Sequence, residues 1–191
     1  HRSWCKQSSG EWFLDPGNPS VKAYLVDLVK EIVSGYDIDG IHLDYIRYPD
    51  RAEKFPDTDS FRKWGDGATD LSRWRENNIT STVFAIYDEV KRLKPWVKVS
   101  SSPLGRYASL PGFPAEWSCM EAVCQNPKLW LREGKHDFIV PMMYFSEENF
   151  YPFLRDWSAS CPAGRVACGL GVYRLDKNNG GWPLREMQRQ I

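Results

Sequence analysis

The sequence has 191 residues, of which 42% are hydrophobic and 26% charged, so one domain with a hydrophobic core is expected. The 25 basic side chains balance the 25 acidic ones, which argues against a nucleic-acid-binding face. No apolar run approaches the roughly 20 residues of a membrane span, so none is expected. The sequence starts at His1 without a charged-then-apolar leader, and we expect a processed chain or part of a longer protein, with no targeting signal.

The first predicted unit is a helix followed by a strand. Asn18 and Pro19 are typical of an N-cap and a first helical residue, and Gly35 fits the position just after the helix. Between them an apolar residue recurs every three or four positions: Val21, Leu25, Leu28 and Ile32. The segment 37–44 then predicts a short strand that ends at Asp44.

The same alternation continues to the end of the sequence. Further helices are predicted at 71–94, 127–133, 147–159 and from Trp182 onward, and further strands at 96–102, 137–144 and 165–173. Strands that alternate with helices predict parallel βαβ units and an α/β fold. Four strands cannot close an eight-stranded barrel, so either an open α/β sheet or part of a (β/α)8 barrel is expected.

Two strand-to-helix connections are long, 45–70 and 103–125, whereas the helix-to-strand connections are short. Long loops usually carry function, and both leave the C-terminal ends of strands, where α/β sheets and barrels place their sites. The functional site is therefore predicted at this end of the sheet.

The cysteines and histidines form no metal-binding pattern. The spacings of the five cysteines fit no zinc motif, so buried free thiols are favoured, and a Cys119–Cys124 disulfide is the alternative for an exported protein. His1, His42 and His136 have no acidic partners at a known metal-binding spacing, and Gly169 and Gly171 lie within a strand rather than before a helix. No metal and no cofactor are expected.

The strongest local signal is DGIHLDYIRYP at 39–49. Because side chains alternate along a strand, His42 and Asp44 share one face, and Asp44 lies where the strand gives way to the long loop. A carboxylate at this place suits glycoside hydrolysis as nucleophile, acid or stabiliser of an oxocarbenium-like transition state. The alternatives are an ion pair with Arg47 or a cap on the loop backbone.

This segment resembles the glycosyl-hydrolase-like family ten domain of bacterial, often envelope-associated, proteins. The similarity is carried by five ordered segments: FLDPGNPSVKAYLVDLVKEIVSGYDIDGIHLDYIRYP (13–49), WRENNI (74–79), KPWVKVSSSPLG (94–105), DFIVPMMYF (137–145) and GLGVYRL (169–175). The resemblance implies that residues 1–191 are a partial catalytic domain holding the fourth to seventh strands of a (β/α)8 TIM barrel. It also implies a location in the cell envelope or outside the cell.

A more distant similarity is to the family 18 chitinases. Their motifs DG-x-D-x-D-x-E and M-x-Y-D are matched at Asp39, Gly40, Asp44, Met142 and Tyr144. Ile46 stands where the chitinase acid Glu would be, and Phe145 replaces the final Asp. Chitinase-type substrate-assisted catalysis therefore does not carry over.

Asp44 and Glu147 are the candidate catalytic residues. For Glu147, which begins a predicted helix, the alternative is a carboxylate that complements the helix dipole. The candidate substrate-binding residues are His42, Tyr45, Arg47, Tyr48, Met142 and Tyr144, with a packing tyrosine or a hydrogen-bonded core histidine as the alternatives for Tyr144 and His42. Arg75 and Asn78 are expected to brace the loop after the first strand.

Together these features favour a glycoside hydrolase that acts on a β-linked polysaccharide or oligosaccharide, with bacterial cell-wall glycan favoured by the resemblance. A catalytically inactive barrel that binds glycan is the alternative. The 191-residue chain by itself is expected to be inactive, and its open sheet edges would allow self-association.

Overall fold

The computed structural model describes residues 2–49 and 51–191. The chain opens with an antiparallel hairpin of β1 (Cys5–Ser8) and β2 (Glu11–Leu14), which no sequence pattern predicted. Ser9 and Gly10 form its turn with φ of +50° and +84°, the left-handed backbone that tight two-residue hairpin turns require.

Seven α-helices follow within the described residues. They are α1 (Pro19–Gly35), α2 (Thr58–Trp64), α3 (Leu71–Leu93), α4 (Cys119–Val123), α5 (Pro127–Arg132), α6 (Glu147–Ser160) and α7 (Leu184–Gln190). Helices α1, α3, α5, α6 and α7 confirm predictions, whereas α2 and α4 lie inside the two segments that were predicted to be long loops. None of the described helices is long and apolar enough to cross a membrane.

Local capping explains why these helices begin where they do. The Asn18 side chain accepts the N–H of Ser20 at 3.0 Å, and the Asn126 side chain accepts that of Leu129 at 3.2 Å. The prediction that Gly35 follows the helix was wrong. Gly35 is the last helical residue, and the cap is Tyr36, whose extended backbone still donates its N–H to Ile32.

The strands are β3 (Gly40–Leu43), β4 (Lys98–Ser101), β5 (Phe138–Ile139), β6 (Met142–Met143) and β7 (Gly169–Leu170). β3, β4 and β5 form a parallel sheet in that order, and β6 pairs in parallel with β7. The predicted strand at 137–144 is divided into β5 and β6 around Pro141, which has no N–H to donate to a ladder.

Two isolated bridges join the sheets into one parallel array. Leu104 pairs with Met142, and Ile139 pairs with Val166. Four chain segments, 40–43, 98–104, 138–143 and 166–170, therefore lie side by side in sequence order. The predicted α/β class with parallel strands is confirmed.

One face of this array is covered by helices. Three clusters of buried side chains hold the helices against it, centred on Val33, Val90 and Val99, on Ile79, Val83 and Trp130, and on Ile139, Met143 and Phe153. On the opposite face, His42 and Asp44 are exposed and Tyr144 is half-buried. The polar groups of β3 and of the residues just after β6 therefore share the uncovered face.

Candidate functional site

Asp44 lies directly after β3, at the C-terminal end of the array. Its Oδ1 accepts the hydroxyl of Ser102 at 2.6 Å and the N–H of Tyr45 at 2.9 Å. Tyr45 has φ of +57°, so the chain turns sharply beside the carboxylate. The carboxylate is exposed, and among the described residues none donates a hydrogen bond to Oδ2 or forms an ion pair with Asp44. One oxygen is thus fixed while the other is open.

His42 lies two residues earlier on the same face. Its Nδ1 is 2.8 Å from the hydroxyl of Ser100, the residue directly opposite it on β4. Ser100 of β4 and Ser102, two residues later, therefore hydrogen-bond to His42 of β3 and to Asp44 just after β3. His42 touches Ser100 rather than Asp44, so any influence on the carboxylate would be indirect.

Arg47 stands between two aromatic rings. Its guanidinium carbon lies 4.0 Å from the ring centre of Tyr45 and 5.4 Å from that of Trp117. Phe13, on the N-terminal hairpin, stacks on Tyr45 at 6.4 Å with only 10° between the planes. The sequence predicted Tyr45 and Arg47 as site residues but missed Trp117, for which the only signal was its place in a long strand-to-helix loop.

A pocket of about 290 Å³ opens beside these side chains. It is lined mainly by apolar residues of β2, α1 and α3, together with Asp44, Tyr45 and Arg47. Of the described residues that line it, Asp44 is the only carboxylate. Tyr144 is not among the residues that line this pocket.

Tyr144 nevertheless lies at the same end of the array as Asp44. Burial raises the pKa of its hydroxyl, and the negative charge of Asp44 raises that pKa further. Its ring meets that of Tyr173 edge to face at 5.5 Å. Met142 is half-buried two residues earlier, opposite Gly169. Tyr144 therefore lies at the same end of the array as Asp44, whereas Met142 also packs against the buried cluster centred on Ile139, Met143 and Phe153.

Tyr48, a candidate substrate-binding residue, does not lie at the surface of the site. Its side chain is fully buried, meets Phe55 edge to face at 5.3 Å and lies beneath the guanidinium of Arg75. Burial raises the pKa of its hydroxyl far above the ordinary value. A buried ring cannot contact a substrate, so Tyr48 packs the loop rather than binding sugar.

Arg75 braces the loop, as predicted. From α3 it forms a two-point ion pair with the buried Asp57, at 3.0 and 2.6 Å, and donates to the carbonyl of Phe55 at 3.1 Å. A planar guanidinium suits this two-point geometry. Residues 55–57 are thereby anchored to α3 in the middle of the loop that follows Asp44.

Gln125 is a second brace, and the sequence contained no signal for it. Its buried side chain accepts the N–H of Leu104 at 3.2 Å and donates to the carbonyl of Ile46 at 3.1 Å. The N–H of Tyr48 donates to the carbonyl of Val123 at 3.1 Å. These contacts tie the loop after β3 to the loop after β4.

Glu147 begins α6, and its carboxylate pairs with Arg189 of α7 at 3.1 Å. Its own N–H donates to Glu186 at 2.6 Å. The structure therefore gives this side chain a partner that joins two helices, and its assignment as a second catalytic carboxylate stays a prediction.

The five cysteines are free thiols, as favoured, but only Cys119 and Cys124 are buried; the others, Cys5, Cys161 and Cys168, are half-buried, so the prediction of burial was wrong for them. The Cys119 thiol donates to the carbonyl of Leu104 at 3.3 Å, and burial raises the pKa of Cys124 to about 12. Over residues 2–49 and 51–191 the structure gathers no cluster of three or more His, Cys, Asp and Glu side chains suited to a metal ion.

The chain belongs to the Glycosyl hydrolase-like 10 family, whose model matches residues 1–161. This family is the one indicated by the sequence motifs, and at the family level it implies a glycoside hydrolase.

Curated relatives carry matching names. The chain is 28% identical to the glycosyl hydrolase YngK of Bacillus subtilis, over 93% of this chain and 38% of the relative. It is 27% identical to the glycosyl hydrolase DigH of Escherichia coli K12 and to that of Shigella flexneri, in each case over 100% of this chain and 48% of the relative. The chain thus spans less than half the length of these relatives.

Proposed function

We propose that the protein is a glycoside hydrolase that cleaves a β-linked polysaccharide, with bacterial cell-wall glycan as the favoured substrate and Asp44 as a catalytic carboxylate. The observation that carries the proposal is the geometry of Asp44. Its Oδ1 is fixed by Ser102 and Tyr45, while Oδ2 receives no hydrogen bond from any described residue at the C-terminal end of the parallel array.

The array is proposed to be an arc of a (β/α)8 barrel that holds its fourth to seventh strands. Three features support this architecture: the segments are parallel, they lie in sequence order, and helices pack on one face only. In such barrels the active site lies at the C-terminal ends of the strands, where Asp44 and Tyr144 are found.

Glycoside hydrolysis usually needs two carboxylates, one of which acts as nucleophile or base while the other protonates the leaving oxygen. Asp44 suits the first role because its open oxygen can reach a substrate or water while its rotamer is fixed. Glu147 is the proposed second carboxylate, and it would have to leave Arg189 to act as an acid. Tyr144 is proposed to donate a hydrogen bond to a substrate oxygen.

A glycan-binding module without activity is the second candidate. It is favoured by the pocket beside Asp44, where that residue is the only carboxylate among the described lining residues.

Reducing-end release from purified bacterial cell-wall glycan by the full-length protein separates the two candidates. A hydrolase releases new reducing ends in proportion to enzyme concentration. A binding module retains the glycan in a pull-down assay but releases none, and that result would refute the hydrolase proposal.

A further inference from the structure

Trp117 is a large aromatic side chain outside the three buried clusters of the described residues. It is 38% exposed, although its neighbours Ala115 and Ser118 are buried. Ser118 caps α4 by accepting the N–H of Glu121, so the backbone beside Trp117 is anchored. The ring is therefore presented to solvent from a fixed position.

Arg47 connects the Trp117 ring to the loop that follows β3. Its guanidinium lies over Trp117 at 5.4 Å and over Tyr45 at 4.0 Å, and Tyr45 directly follows Asp44. A cation against an aromatic face is attractive, and a planar guanidinium can contact two rings at once. Arg47 therefore connects the loop after β3 to the loop after β4 from the side of the pocket that contains Asp44.

The two loops are also joined through their backbones. Gln125 bonds to Leu104 and Ile46, and Tyr48 bonds to Val123. Trp117 lies between Leu104 and Gln125 in sequence, so its segment is tied at both ends. A ring held in this way loses little freedom on binding a ligand, which favours affinity.

We propose that Trp117 is the stacking platform of a sugar subsite beside Asp44, and that Arg47 is the positioning residue that orients it. The ligand is a pyranose unit whose substituents are equatorial, because such a ring has a flat C–H face that packs on an indole. This proposal rests on the proposed function only in its claim that a glycosidic bond is cleaved next to the subsite. Binding itself requires no turnover.

Affinity for chitotetraose, the β-1,4-linked tetramer of N-acetylglucosamine, tests the proposal by calorimetry. The full-length protein carries Asp44→Asn in every sample so that no probe is consumed. Adding Trp117→Ala is expected to weaken binding by about five- to tenfold, the scale of one aromatic contact. Trp117→Phe should restore part of the affinity because it keeps a flat ring.

Trp96→Ala is the matched control. Trp96 is 64% exposed and lies just before β4, at the opposite end of the array from Asp44, so its removal should leave the affinity unchanged. Equal loss in the Trp96 and Trp117 variants would overturn the proposal. Failure of the Asp44→Asn protein to bind chitotetraose would also overturn it.

Kinetics on cell-wall glycan separate the roles of Arg47 and Asp44. With Asp44 intact, Trp117→Ala and Arg47→Met should raise KM while kcat stays within about twofold, the pattern of lost substrate binding. Arg47→Lys should recover less than Trp117→Phe does, because a lysine keeps the charge but not the planar stack.

The two proposals can fail separately. Turnover that depends on Asp44 but not on Trp117 would overturn the subsite and leave the hydrolase standing. Binding that depends on Trp117 in a protein without turnover would overturn the hydrolase and leave the subsite standing.

Discussion

Two aspartates lie at opposite ends of β3 and differ in their surroundings. Asp39 precedes the strand, and its carbonyl accepts the N–H of Lys98. Asp44 follows the strand, and its carboxylate is oriented by Ser102 and Tyr45. Both side chains are exposed, so position and hydrogen bonding distinguish them rather than burial. Substitutions of these two aspartates therefore compare the loss of a carboxylate at the two ends of the same strand.

Glu147 can be tested against its own ion-pair partner. If it is the second catalytic carboxylate, Glu147→Gln should lower turnover at least about tenfold, because an amide cannot transfer the proton. Arg189→Ala removes the same ion pair but leaves the carboxylate, so it should retain turnover close to the unsubstituted value. Equal turnover in the two variants, measured by reducing-end release, would show that Glu147 only joins α6 to α7.

At the scale of elements, the predictable parts are those set by neighbouring residues. α1 and α5 each begin at an Asn-Pro pair, in which the asparagine side chain caps the helix and the proline is its first residue. Such pairs can be recognised in the sequence. The position of Asp44 just after β3 also followed from strand alternation, whereas the two segments predicted as long loops each contain a short helix, α2 and α4.

The parts that could not be predicted depend on contacts between distant residues. Tyr48 is buried because Arg75 and Asp57 fold the loop back onto α3, and no local pattern reveals that direction. Gln125 and Trp117 act through residues 46 and 47, more than 60 positions earlier in the chain. In the N-terminal hairpin β1 is mostly polar, and the apolar residues Trp12, Phe13 and Leu14 of β2 are consecutive, so the apolar alternation that indicates a strand is missing.

The Asp57–Arg75 pair should dominate the stability of the loop after β3. Arg75→Met would leave the fully buried Asp57 without its partner, and breaking a buried pair in this way costs roughly 3–5 kcal/mol. Arg92→Met is the matched control on the same helix, because Arg92 is 61% exposed and surface pairs contribute only about 0–1 kcal/mol. Denaturant unfolding of the full-length protein measures both losses, and similar values would show that the pair does not brace the loop.

At the scale of the whole molecule, the parallel array has two unsatisfied edges. Among the described residues β3 pairs only with β4, and the segment 166–170 pairs only with 139–143. Exposed strand edges tend to pair with other strands. On the uncovered face, Phe138 and Val140 are only half-buried. If the array is an arc of a barrel, further strands would pair with its two edges and cover this face.

The 191-residue chain expressed by itself is therefore expected to self-associate or aggregate, and to show no hydrolysis. Sizing chromatography and a thermal melt report the first outcome, and reducing-end release reports the second. A monomer that unfolds cooperatively and cleaves cell-wall glycan would show that the array is complete without further strands.

The most direct test of the central claim is the turnover of Asp44→Asn measured beside that of Asp39→Asn in the full-length protein. Both substitutions are nearly isosteric and remove one exposed carboxylate from an end of β3. Asp44→Asn should lower kcat at least about 10²-fold, the scale of a lost acid–base group, while Asp39→Asn should leave kcat within about twofold. Unchanged kcat in a correctly folded Asp44→Asn protein, or equal losses in the two variants, would contradict a catalytic role for Asp44.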